Sequence, residues 1–209
     1  MPEILERLSG TRRIFHSEAD FRNALAWEVK SIVPDASVRL EVAMFGTSRN
    51  RVDIVVRLAG GAIPIELKYW QARLHHVDPE GEAYSLTDQT AEDVGRAALA
   101  KDLSRIESLV GPGGMTTGWV VALTNNARYW REGRDGEFSS DAAFRISEGR
   151  VLAGSPRWRR GTAAGTMKGT EALELRGSYR CAWQDYSSLG TSRGELFRYL
   201  AFEVGPDAA

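Results

Sequence analysis

Asp53, Glu66 and Lys68 are the residues of this chain whose types and spacing suit hydrolysis at phosphorus. Magnesium prefers oxygen ligands and is usually held by one or two carboxylates with several waters. Asp53 and Glu66 supply such a pair, and the backbone carbonyl of Leu67 is placed to add a third oxygen. A cation held there lowers the pKa of its bound water and stabilises charge on a phosphoryl oxygen, and an ammonium at Lys68 orients the attacking water or neutralises the transition state. The expected cofactor is Mg²⁺, with Mn²⁺ able to take its place.

The elements that must position these groups are two strands. Val52, Ile54, Val56 and Leu58 alternate with Asp53, Val55 and Arg57, and Ile63, Ile65, Leu67 and Tyr69 alternate with Pro64, Glu66 and Lys68, the period of a strand with one face buried. Gly60-Gly61 supplies a two-residue turn. With those glycines as the loop, Ala59 pairs with Ala62, so Asp53 faces Lys68 and lies diagonal to Glu66. A plain cross-strand ion pair between Asp53 and Lys68, worth under about 1 kcal/mol at a surface, fits the same register.

Upstream, Ser17 is the expected N-cap of a helix running to about Ile32, with apolar Phe21, Leu25 and Ile32 and a carboxylate, Glu28, in the missing position of the stripe. Glu28 either faces the strands or pairs with Arg39 or Lys68. Ser37 to Met44 alternates as a strand, with Glu41 on its polar side as a second candidate for a supporting acid, and Phe45 to Asn50 reads as the turn after it. Residues 70–86 lack a period and are expected to form a long loop containing His75 and His76. A helix is expected from Thr87 to about Val110, its stripe being Leu99, Leu103, Ile106 and Val110, with Lys101 and Arg105 on an exposed face. Thr117 to Thr124 reads as a strand buried on both faces.

Glu28 on a helix, Asp53 on a strand and Glu66-Leu67-Lys68 on the next resembles the PD-(D/E)XK nuclease superfamily over about residues 17–126. Val52 stands where the motif has its proline. The resemblance implies an α/β, restriction-endonuclease-like mixed central sheet flanked by helices. It also implies metal binding by Asp53 and Glu66, catalysis by Lys68 and a supporting carboxylate in Glu28. Some members use a glutamine on the following helix, for which Gln89 is the candidate and Gln71 its rival. The expected function is metal-dependent hydrolysis of phosphodiester bonds, DNA favoured. The alternative is a catalytically inactive member of the same fold that binds nucleic acid or protein.

The 209 residues suit a single domain, with residues 17–126 as the nuclease-like core and 127–209 as a β-rich C-terminal extension with strands at Arg150 to Leu152, Leu173 to Ala182 and Glu195 to Val204. From Arg145 to Arg198 there are ten basic residues and five acidic ones. Arg157, Arg159 and Arg160 there are candidate nucleic-acid contacts, with Trp158, Trp183 and Tyr186 as either stacking surfaces or core aromatics. A net charge of −1 excludes a globally basic binder but not a local patch. Cys181, the single cysteine, excludes an intramolecular disulfide and a cysteine-based zinc site. No apolar run approaches the roughly 20 residues that span a bilayer, and the first residues lack the order of a signal peptide, so the expected location is the cytoplasm without membrane contact. One active site per chain implies a homodimer or a partner for cutting both strands of a duplex.

Overall fold

The computed structural model describes residues 1–44, 51–111, 115–133 and 138–206. The chain begins with a helix not anticipated from the sequence, α1 (Pro2–Thr11), followed by α2 (Glu18–Ile32), whose N-cap Ser17 accepts the Asp20 amide. Three antiparallel strands come next, β1 (Ser37–Ala43), β2 (Arg51–Leu58) and β3 (Gly61–Trp70). The turn expected over residues 45–50 lies outside the described residues. A small hairpin, β4 (Leu74–Val77) with β5 (Ala83–Leu86), occupies the stretch expected to be an irregular loop and carries His75 and His76. Helix α3 (Glu92–Leu109) then leads to β6 (Gly118–Thr124).

The remainder contains β7 (Val151–Gly154), a one-turn helix α4 (Ala164–Met167), β8 (Leu175–Arg180), β9 (Gln184–Ser188) and β10 (Leu196–Val204). Six strands form one mixed sheet in the order β1-β2-β3-β6-β10-β9, and β3 and β6 are its parallel pair. Thus β9 and β10 complete the same sheet that holds the motif, and of the expected C-terminal extension only β7 and β8 pair separately.

Alternation along the strands sorts side chains between two layers. Ile54, Val56, Ile65, Leu67, Tyr69, Val121 and Leu123 pack with Phe21, Leu25 and Val29 of α2 and Leu5 and Leu8 of α1. On the opposite face Trp70, Val120, Ala122, Leu200 and Phe202 pack with Leu99, Leu103 and Ile106 of α3. The α2 stripe is therefore 21, 25 and 29, spaced i, i+4 and i+8, not the 21, 25 and 32 that made Glu28 a gap in the buried face. Glu66 and Lys68 are of the same parity as Trp70 and look toward α3.

Candidate functional site

Hairpin register decides which charges meet. Leu58 pairs with Gly61, so the loop is Ala59-Gly60 and not the two glycines, and Gly61 enters β3 at a φ of 142°, a value glycine tolerates. The pairing differs from the expected one by two residues, which keeps every side chain on its face but changes its neighbour. Because Ile54 pairs with Ile65 and Val56 with Ile63, position 53 lies across from 66, and Asp53 is opposite Glu66 instead of Lys68. Leu40 pairs with Ile54 and Val42 with Val52, so position 41 lies across from 53. Glu41, Asp53 and Glu66 form a row across β1, β2 and β3. Glu41 is also the one non-glycine residue among those described with positive φ, at 52°, a costly conformation at the row's outer end.

Pairing of β2 with β3 stops at Ile54 and Ile65, and beyond it the amides of β3 on that edge need other acceptors. Two carboxylates provide them: Asp53 Oδ2 accepts the Leu67 N–H at 2.8 Å and Glu18 Oε2 accepts the Tyr69 N–H at 2.9 Å. The Leu67 carbonyl opens on the same edge and receives Lys68 Nζ at 3.2 Å.

Helix α3 brings the counter-charges. Lys68 Nζ lies 2.6 Å from Asp102 Oδ2, and Arg105 Nη2 lies 2.5 Å from Glu66 Oε2 and 3.0 Å from Asp102 Oδ1. Arg105, expected on an exposed helix face, is thus turned toward the sheet. From α2, Arg22 pairs with Glu41 and reaches Asp53 Oδ1 at 3.4 Å. Glu66 is 2% exposed, and its Oε1 is buried with no hydrogen-bond partner, as are Arg22 Nε and Arg105 Nε.

Burial, first, and then the carboxylates of Asp102 and Asp53 push Glu66 up to about 9, against the pull of Arg105 and Lys68. Glu18 is raised as well, chiefly by burial, with Lys68 and the Tyr69 amide opposing. For Lys68, burial works against the charge, but Asp102, Glu18 and Glu66 outweigh it and hold the ammonium above the ordinary lysine range. Lys68 is consequently a fixed cation at neutral pH, suited to electrostatic stabilisation and not to proton abstraction.

The donor set suits a hard cation. Asp53 on β2 and Glu66 and the Leu67 carbonyl on β3 are all oxygen donors, and Glu66 Oε1 is buried without a hydrogen-bond partner. Among the described residues, no three or more His, Cys, Asp or Glu side chains are gathered closely enough to hold an ion outright. Arg105 and Lys68 instead face Glu66 and Asp102.

The other expected residues fall elsewhere. Glu28 pairs with Arg7 at 2.9 Å, ten residues and about 15 Å along the helix axis from Glu18. The helical carboxylate at the cluster is Glu18, which as a first-turn acid reads from sequence only as part of the helix start. Gln89 is exposed ahead of α3, its backbone amide donating to the Gln71 carbonyl at 3.0 Å, while the Gln71 side chain donates to the His16 carbonyl at 3.3 Å. Asp102 and Arg105 are site residues that the sequence does not single out. Their one signal is position, each a single residue before a stripe member, Leu103 and Ile106, and so flanking the buried face. Arg157, Arg159 and Arg160 are exposed, whereas Trp158, Trp183 and Tyr186 are core aromatics; Trp158 donates to Thr170 Oγ1 at 2.9 Å. No family model, curated protein or solved structure matches the chain.

Proposed function

We propose that this chain is a metal-dependent nuclease of the PD-(D/E)XK kind, hydrolysing phosphodiester bonds with DNA as the favoured substrate. The observation that carries the reading is the buried, unpartnered Oε1 of Glu66, a residue that lies across from Asp53 and precedes Leu67, whose carbonyl receives Lys68 Nζ. The order α2, three antiparallel strands, α3 and a parallel strand supports a restriction-endonuclease-like assignment. Asp53, Glu66 and the Leu67 carbonyl would hold Mg²⁺ or Mn²⁺, which supplies an acidified water and a Lewis acid for the phosphoryl oxygen. Lys68, kept cationic by Asp102, offers its charge to the phosphate undergoing attack. Glu18 fixes the Tyr69 amide and so the β3 edge that presents Lys68. In the hydrolysis, water oxygen joins phosphorus, the bond from phosphorus to the departing ester oxygen breaks, and the two protons of water end on the new phosphate and the released hydroxyl. One such cluster per chain attacks one strand, so a duplex cut through both strands takes two copies.

A specific observation favours a second reading. The pairs of Glu66 with Arg105 and Lys68 with Asp102 satisfy much of the cluster's charge internally, which is what a non-catalytic binding module of the same fold would need. Calorimetry with Mg²⁺ or Mn²⁺ separates the two. Binding by the wild type that is lost in Asp53→Ala, together with metal-dependent cleavage of DNA, supports the nuclease; a wild-type chain that takes up neither cation ends it.

A further inference from the structure

A second charged feature lies beyond the carboxylate cluster. At the C-terminal ends of β3 and β6 opens a cleft of about 820 Å³, within the size range of sites that enclose a small ligand. Arg96, Arg128, Arg131, Arg145 and Arg193 line it, against two lining acids, Glu92 and Glu132. Its floor is built. The Asn125 side chain accepts the Ala72 amide at 2.7 Å and donates to the carbonyls of Ala72 at 3.1 Å and Gly194 at 2.8 Å, joining the ends of β3 and β6 to the loop before β10.

The arginines divide into two sets. Arg96 and Arg145 share buried Asp141, at 2.6 Å and 3.4 Å, and Arg128 pairs with Glu92 at 2.8 Å. Those guanidiniums are held in place by the protein, and two of them share a single counter-charge. Arg131 and Arg193 are exposed and have no carboxylate partner among the described residues. They come from different segments, one after β6 and the other between β9 and β10, and meet at the same opening. Concentrated guanidinium charge in a partly enclosed concavity selects a ligand carrying several negative oxygens, since the planar fork matches phosphate oxygens in pairs. Trp130 adds an aromatic wall, with Arg198 over its ring at 5.8 Å.

We infer that this cleft binds the phosphate of a nucleotide, through Arg131 and Arg193, at a site distinct from the carboxylate cluster. On α3, Arg96 is six residues from Asp102, about 9 Å along the axis, and the buried stacked pair of Trp70 and Tyr129, with centroids 4.0 Å apart, belongs to the core and not to the cleft lining. The phosphate can belong to a free mononucleotide or to an oligonucleotide strand.

The test is binding without catalysis. Fluorescence anisotropy of a labelled single-stranded oligonucleotide bearing a 5′-phosphate is measured in chelator at low salt, with deoxyadenosine monophosphate as competitor. The wild type should bind, and the double variant Arg131→Ala/Arg193→Ala should lose affinity tenfold or more, with its salt dependence flattened by roughly one to one and a half ions for two phosphate contacts on a single strand. Competition by the mononucleotide identifies a nucleotide pocket, and binding without competition a strand site; both support the inference. Absence of oligonucleotide and nucleotide binding by wild type, or unchanged binding by the double variant, overturns it. Both arginines are exposed, and an unaltered thermal transition checks that the variant folds. In chelator the Asp53 and Glu66 pair holds no cation, so failure of the metal site in calorimetry and failure of this cleft in anisotropy read differently.

Discussion

Replacing Glu66 with Gln keeps the size of the side chain and removes its titration, which turns the electrostatics of the cluster into a measurable slope. The carboxyl of Glu66 holds its proton in the folded chain until about 9, against an ordinary value of 4.5. Between those two values the folded state binds more protons than the unfolded state, so stability falls as pH rises. The contribution is fully present below 4.5 and has been lost by about 9. Within that window one extra bound proton changes stability by about 1.4 kcal/mol for each step of one in pH, so between pH 5.5 and 7.5 this single group should take away about 2 to 3 kcal/mol. Glu66→Gln lacks that contribution, and Arg105 retains Asp102 as a partner at 3.0 Å. The assay is urea unfolding in chelator at pH 5.5, 6.5 and 7.5. Titrating groups away from the cluster contribute alike to both proteins, so the difference in unfolding free energy, variant minus wild type, should climb by about 2 to 3 kcal/mol across the range. A difference that stays flat would refute the protonated, desolvated Glu66. Calorimetry in buffers of unlike ionisation enthalpy gives the companion result: at pH 7.5 each cation bound by the wild type should displace about one proton.

Glu18 and Glu28 separate the two candidates for a helical carboxylate. Glu18→Ala should reduce cleavage at least tenfold and cost about 1 to 3 kcal/mol, because the Tyr69 amide loses its acceptor. Glu28→Ala removes only the pair with exposed Arg7, should cost under about 1 kcal/mol and should leave cleavage intact, and a dead but folded Glu28→Ala would return the supporting role to that position. Asn125→Ala strips three hydrogen bonds from the joint between β3, β6 and the loop before β10 and leaves the half-buried backbone groups of Ala72 unpaired. It should lower stability by about 2 to 4 kcal/mol in urea unfolding, and a loss below about 0.5 kcal/mol would show that the joint does not depend on it.

Elements governed by local pattern are legible in the sequence. Ser17 caps α2 through the Asp20 amide, and the alternation from Val52 to Tyr69 gives β2 and β3 their faces. What is not legible depends on a choice between equally local solutions or on packing at a distance. Ala59-Gly60 and Gly60-Gly61 are both short turns bearing glycine, and only the observed pairing of Leu58 with Gly61 distinguishes them. The choice moves the partner of Asp53 by two residues while sparing the face, so the identity of the acids survives and their geometry does not. Helix α1 leaves little trace in the sequence because its core contribution, Leu5 and Leu8, is a single short apolar contact within a run of charges.

The counter-charges are illegible for a deeper reason. Asp102 and Arg105 lie on α3, and whether a flanking side chain meets solvent or a buried strand depends on how the helix is rotated over the sheet, a property of the whole core. That rotation places them over Glu66 and Lys68. Carboxylates crowded on a strand edge repel unless something compensates, and here each compensation is different. Arg22 meets Glu41 and Asp53, Lys68 meets Asp102, and Arg105 is shared by Glu66 and Asp102. Glu66 remains the member least satisfied, holding one oxygen without a partner and a proton that an ordinary glutamate would have released. A cluster selected only for stability would improve by exchanging so costly a group for a neutral one. Its presence across from Asp53 is therefore the physical ground for expecting a ligand there, and the pH slope of Glu66→Gln measures how large that cost is.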